Sequence, residues 1–302
     1  MGYSLAELRK DLSNRDLRVQ RWWQGLRWRH ANAVALSAPP PDPALGKVVF
    51  AIPLISRRKA ADWDQVQANL VATLTSLRRQ GDGRWQAIVC CQDRPDAVAF
   101  DDRVRFLPYA GSDARYDNHQ KYAQMRATLL REETGAGYYF QLDADDLLHP
   151  GLVGYMLSDN NRQGYLIDRG YMLDHASLDL AVLQPADSEF PEATEFYRSC
   201  GSSSALWFDL SQGADFATVL ARRGNHRKVA RNMGYFGFRM AMVPFHAAIY
   251  VMNHGDNLRQ KRGKMAGKMM HFDVNPVTDP ARRAEIAETF GFAEIFGARA
   301  SD

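Results

Sequence analysis

Tyr138-Tyr139-Phe140-Gln141-Leu142-Asp143-Ala144-Asp145-Asp146 decides how this chain is read. Residues 138–142 have the length and apolar character of a strand buried on both faces. They run without a break into three carboxylates within four positions. Carboxylates packed this closely repel one another and raise their own pKa values unless a cation neutralises them. Oxygen-only ligands suit Mg²⁺ or Mn²⁺, ions that bridge a diphosphate to a protein. The same residues also read as a solvated acidic turn capping the next helix. Their place after an aromatic strand, the fourth in a series, favours the chemical reading.

Working outward, the upstream chain alternates apolar runs with helical spacing. Val48–Leu54 and Trp85–Cys91 read as buried parallel strands, and Val104–Leu107 as a third. Trp63, Val66, Leu70, Leu74 and Leu77 recur at helical intervals within Asp62–Arg79, which Gly81-Asp82-Gly83 ends. A second helix is expected over Lys121–Glu133, closed by Gly135-Ala136-Gly137. This alternation predicts an α/β fold with a doubly wound, mainly parallel sheet flanked by helices. Ligands of such sheets bind beyond the carboxyl ends of the strands, where Pro53, Asp93 and Asp143–Asp146 stand. After residue 150 the pattern loosens. Strands are expected at 164–169, 205–208, 240–244 and 248–252, helices at 216–223, 225–232 and 279–297, and a mobile basic loop at 255–270.

The chain has 302 residues, 46% of them hydrophobic and 24% charged, which excludes a disordered or collagen-like protein. Its three cysteines, Cys90, Cys91 and Cys200, are too few and too unevenly placed for a disulfide framework and point to a reducing compartment. No stretch has the roughly 18 uninterrupted apolar residues of a membrane span, and the N-terminus does not read as a signal peptide. A cytoplasmic protein is expected, at most peripheral at the inner face of the membrane. Residues 1–36 hold seven Lys/Arg and three Asp/Glu, a net +4, while the rest of the chain sums to −1. A nucleic-acid binder would carry its basic stripe on the main body, so that class is set aside.

Residues 3–36 read as one amphipathic helix with Leu5, Leu8, Leu12, Val19, Trp22, Trp23 and Leu26 on one face, ended by the proline-rich Ser37–Pro43. That face fits packing on the chain's own body, a homodimer contact, or an interfacial membrane helix. Three segments are expected: 1–43 as helix and linker, 44–257 as the catalytic domain, and 258–302 as basic loop and C-terminal helix.

VVFAIPL, AIVCCQD, the DNHQKY segment at 117–122 and above all YYFQLDADD give residues 47–257 a resemblance to the nucleotide-sugar-dependent glycosyltransferases of the GT-A fold, family-2-like. The resemblance implies a nucleoside diphosphate sugar donor, a glycan or lipid-linked acceptor, and Mn²⁺ or Mg²⁺. Carried over by position, the first strand, ending at Pro53, and Asp93 meet the nucleotide base. Lys121 stands near the nucleotide, Asp143 takes the ribose or metal, and Asp145 takes the metal. Cys200-Gly201-Ser202-Ser203-Ser204 resembles the small-residue turn beside the donor sugar, which puts Ser202 in the donor site; it also reads as an ordinary loop into the next strand. A third metal ligand is implied from a C-terminal histidine, His254 ahead of His271 and His226.

The family's usual acidic pair for the catalytic base is missing. Gly224-Asn225-His226-Arg227 holds its place, which leaves His226, Asp209 or Glu195 as base, or a retaining reaction that needs none. Arg259, Lys261, Arg262, Lys264 and Lys268 could close over a diphosphate or form a solvated charge run. Two other functions stay open. A nucleotidyltransferase would carry a glycine-rich basic loop after the first strand, whereas Ser56-Arg57-Arg58-Lys59 is basic but lacks glycine. A non-catalytic, membrane-peripheral assembly module would use the N-terminal helix alone.

Overall fold

The computed structural model describes residues 46–111, 117–133, 135–212, 216–252, 266–292 and 294, together with Val19, Trp22, Trp23, Gly25, Leu26, Arg27 and Arg29. The centre is β1 (Lys47–Pro53), every residue of which is buried except the half-buried Lys47. β1 pairs in parallel with β2 (Trp85–Cys91) on one side and β4 (Ala136–Gln141) on the other, and β2 pairs in parallel with β3 (Val104–Pro108). Helix α1 (Trp63–Arg78) buries Val66, Leu70, Leu74 and Leu77, and Asp62 caps its start by accepting from the Gln65 N–H at 3.0 Å. Helix α2 (Asn118–Glu132) returns the chain to β4. It begins three residues earlier than the periodicity indicates.

Gly135-Ala136-Gly137 does more than close that helix: Ala136 and Gly137 are strand residues. A Cβ on Gly137 would lie 2.2 Å from the Lys47 carbonyl oxygen, so the close approach of β1 requires glycine here.

Beyond β4 the sheet continues through β9 (Ser204–Asp209), β6 (Gly164–Leu166) and β10 (Ala241–Met242), giving the order β10-β6-β9-β4-β1-β2-β3. β9 runs antiparallel to both neighbours. This reversal brings the residues before β9 to the edge where β4 and β6 end. The mainly parallel sheet flanked by helices is therefore the expected one.

A second sheet, of order β5-β11-β7-β8, joins β5 (Leu147–Leu148), β11 (Ala248–Met252), β7 (Gly170–Asp174) and β8 (Leu180–Leu183). The expected strand over 164–169 is cut short because the chain leaves the first sheet after Ile167 and enters the second at Gly170. β7, β8 and helix α3 (Leu152–Asp159) have no counterpart in the sequence reading. After α4 (Phe196–Ser199), α5 (Phe216–Ala221) and α6 (Val229–Gly234), two C-terminal helices follow, α7 (Ala266–Val274) and α8 (Pro280–Phe290). Residues 266–270, expected as loop, are thus helical. Val277, Ile286, Phe290 and Phe292 join Tyr171, Leu180, Val182 and Val251 in a second apolar core. The C-terminal segment so completes the smaller sheet. Among the described residues, no helix is long and apolar enough to cross a membrane.

The described N-terminal positions are helical. Gly25 is buried against the Tyr235 carbonyl, and Arg29 lies over Gly237, whereas Val19, Trp22, Trp23 and Leu26 remain exposed.

Candidate functional site

The carboxylates Asp143, Asp145 and Asp146 leave β4 at its C-terminal end and face different surroundings. Asp146 is completely buried. Its Oδ2 accepts from the Ser202 hydroxyl at 2.5 Å and the Cys200 thiol at 3.0 Å, and its Oδ1 accepts from the Val251 N–H at 3.2 Å. It therefore ties the β4 edge to the segment before β9 and to β11 of the second sheet. Burial, then the charges of Asp145 and Asp143, push its pKa well above the usual carboxylate range. Cys200 is also buried, and burial with the Asp146 and Asp143 charges keeps it a thiol, as its donor role requires.

Asp143 and Asp145 are only half-buried. The Asp143 main-chain N–H donates to Ser202 Oγ at 2.8 Å, so Ser202 both accepts from Asp143 and donates to Asp146. A Cβ on Gly201 would lie 2.7 Å from Asp143 Oδ2. The small residue at 201 thus makes room for the carboxylate itself. The Tyr122 hydroxyl bonds to Asp143, but burial and the Asp145 charge outweigh it and raise the Asp143 pKa to about 6. Among the described residues, Asp143, Asp146 and Cys200 place ligand atoms within 4.8 Å of one another. Asp146 already receives three donors and Cys200 is a protonated thiol, which makes these two poor ligands for a hard cation, whereas Asp143 and Asp145 are the more open carboxylates of this edge.

Arg223, which the sequence reading passed over, lies behind this edge. It is 6% exposed and donates to Gly201 O at 2.8 Å and Ser204 Oγ at 3.1 Å. Its charge favours the ionised form of Asp143.

The DNHQKY segment fastens the C-terminal ends of β1 and β2. Lys121 is wholly buried; its ammonium donates to Leu54 O at 2.6 Å and pairs with Asp117 at 3.0 Å. Asp117 also accepts from Gln92 at 2.7 Å. Lys121 thus pins the end of β1 to α2 from beneath, its charge balanced internally. Pro53 is buried in β1 opposite Cys90. Asp93, half-buried, accepts from the Arg57 N–H at 2.8 Å and so joins the turn after β1 to the end of β2.

The three expected bases fall in different places. Asp209 pairs with Ala136, the first residue of β4, and accepts from Ser211. The antiparallel register puts it at the opposite end of the sheet, about 20 Å from the carboxylates at the strand rise. It cannot share their chemistry. Glu195 precedes α4 and pairs with Arg198 at 2.7 Å. His226 bonds through Nδ1 to Tyr197 O. His254 and Arg259, Lys261, Arg262 and Lys264 lie outside the described residues, as does the Lys268 side chain. His271 bonds Val182 O through Nε2 at 2.8 Å and Asn275 through Nδ1 at 3.2 Å, and so belongs to the second sheet.

A fourth carboxylate, Asp168, went unnoticed in the sequence. Phe140, Ala205 and Tyr165 lie side by side on β4, β9 and β6, and the Ile167 N–H bonds Ser203 O at 2.8 Å. Extended three residues past Phe140 and Tyr165, the same register would reach Asp143, Ser202 and Asp168, two strand spacings or about 10 Å across. Asp168 is 9% exposed, and its Oδ1 is buried without a hydrogen-bond partner. Burial raises its pKa, Arg169 opposes the rise and the Glu195 charge adds to it. No sequence pattern marks it; only strand register carries the chain before it alongside the segment that meets Asp143.

No family model matches this chain, and no curated protein matches it. Solved structures similar to it in part include the following two. One is a 4-diphosphocytidyl-2C-methyl-D-erythritol synthase, 15% identical with a TM-score of 0.34, covering 74% of this chain and 99% of that one. The other is the mannosyltransferase PcManGT of Pyrobaculum calidifontis in complex with GDP-Man and Mn²⁺, 14% identical with a TM-score of 0.37, covering 85% of this chain and 69% of that one.

Proposed function

We propose that this chain is a transferase that moves a sugar from a nucleoside diphosphate sugar to a hydroxyl of a glycan or lipid-linked acceptor. The observation that carries the reading is the division of labour at the end of β4. Asp146 is sealed inside as an acceptor of three hydrogen bonds, while Asp143 and Asp145 remain half-open beside Gly201. Asp143 and Asp145 would hold Mn²⁺ or Mg²⁺, which when bound offsets the charge gathering on the departing diphosphate. Pro53 and Asp93 would border the base. Ser202 fixes the main chain of Asp143, and Arg223 braces the Gly201 turn from behind.

The acceptor hydroxyl must lose a proton as it attacks. Asp168 suits that task better than His226 or Glu195. Its Oδ1 is unpartnered, whereas the His226 ring bonds Tyr197 O and Glu195 is paired with Arg198. Its distance from Asp143 leaves room for a sugar between them.

A thermal-shift screen of UDP, GDP and CDP, with and without Mn²⁺, should find one that stabilises the protein only with metal. Asp145→Asn should abolish that stabilisation without lowering the metal-free melting temperature. With the matching nucleotide sugar, slow hydrolysis should release a nucleoside diphosphate. Pyrophosphate formed from a nucleoside triphosphate and a sugar phosphate would instead identify a nucleotidyltransferase. Absence of any nucleotide-dependent shift would overturn the donor site and leave the assembly-module reading.

A further inference from the structure

The described apolar residues of the N-terminal helix face away from the body. Trp22 is 60% exposed, Trp23 58%, Val19 53% and Leu26 37%. At about 100° per residue these four share an arc of about 100°, with Arg27 beyond one side and Arg29 beyond the other. Both arginines are exposed. Gly25, farther round, seats the helix on the 235–237 turn: a Cβ there would stand 2.9 Å from the Tyr235 carbonyl oxygen.

The stretch of chain that includes this seat is also basic. Residues 216–255 contain no Asp or Glu and six Lys/Arg. Arg223 is buried behind the carboxylate edge, while Arg222, Arg227, Lys228, Arg231 and Arg239 are exposed. Tyr235, 58% exposed, borders the helix.

We propose that this face docks the protein on an anionic phospholipid surface, with Trp22, Trp23, Val19 and Leu26 in the interface and the surrounding cations on the headgroups. Indole rings suit that boundary, and long basic side chains reach from it to phosphate. A second copy fits less well, because a two-fold contact would set this basic face against itself. A nucleic acid would meet the cations but leave Val19 and Leu26 uncovered. Residues 222–228 also lead to the candidate site. On the transferase reading, docking therefore sets that site where a lipid-linked acceptor resides.

The test is co-sedimentation of the full chain with vesicles of phosphatidylcholine alone or with one-quarter phosphatidylglycerol. Wild type should pellet with the anionic vesicles at low salt and be released at high salt, with a blue shift of tryptophan emission on binding. Lys228→Ala/Arg231→Ala should weaken partitioning about 30-fold, at the usual value of a basic residue near such a surface. Trp22→Ser/Trp23→Ser should weaken it by roughly tenfold or more. Both variants should keep the wild-type melting temperature and its response to nucleoside diphosphate with Mn²⁺, an independent readout of the donor site. Equal binding to neutral vesicles, no binding at all, or undiminished binding by both variants would overturn the proposal. So would a wild-type dimer that Trp22→Ser/Trp23→Ser dissociates without any vesicle binding.

Discussion

Replacing Asp143 by Asn should make the metal-free protein more stable at neutral pH. Burial and the Asp145 charge hold the Asp143 pKa at about 6, against an ordinary value of 3.8. An acid whose pKa folding raises binds its proton more tightly in the folded state. It contributes nothing unfavourable below the unfolded pKa, and it costs stability progressively as pH rises from about 4 through about 6. At about 1.4 kcal/mol per tenfold, the full cost is about 3 kcal/mol above pH 7. Asp143 keeps some solvent contact, so about 1–2 kcal/mol is the realistic figure. Asn keeps a carbonyl oxygen for the Tyr122 hydroxyl and carries no charge. Urea unfolding in EDTA, compared between wild type and Asp143→Asn, should therefore show no difference at pH 4. The difference should grow to about 1–2 kcal/mol in favour of the variant by pH 8. Mn²⁺ should stabilise wild type and not the variant. A variant no more stable than wild type at pH 8, or a difference independent of pH, would refute the account of charge crowding at this edge.

Asp146→Ala should act in the opposite sense. It removes the acceptor of three buried donors, and a loss of about 3–5 kcal/mol is expected in urea titration, against under about 0.5 kcal/mol for Asp145→Ala. Asp168→Asn preserves shape and removes a proton acceptor. Donor hydrolysis should fall about 100-fold or more while the nucleoside diphosphate thermal shift is unchanged, and the acid limb of the wild-type pH–rate profile should disappear. Hydrolysis by Asp168→Asn within threefold of wild type would return the proton to His226.

Much of this architecture was legible along the chain. The strands Trp85–Cys91 and Ala248–Met252 stand where their apolar runs end, because strands buried on both faces need continuous apolar residues. Helix α1 was legible through its spacing and its Asp62 cap. The small sheet was harder to read. β7 and β8 are short, and what completes their cover is a helix about a hundred residues later, carrying Ile286 and Phe290. Such pairing has no local signature.

By itself the sequence determined that three carboxylates end a buried strand, that small residues at 201–204 lead into another, and that the N-terminal segment is basic and amphipathic. Composition and periodicity are local quantities, and these are local facts. Tertiary structure decided where each residue stands and what it meets. The reversal of β9 sends Asp209 to the far end of the sheet and brings Ser202 onto Asp143 and Asp146. Burial turns Lys121 into a brace and Asp146 into an internal anchor. Register carries the chain before Asp168 alongside the segment that meets Asp143. The seat of Gly25 on Tyr235 leaves the tryptophans facing outward. Each of these depends on which residues meet across strands far apart in the chain, and hydrogen-bond register and burial arise only when those strands pair.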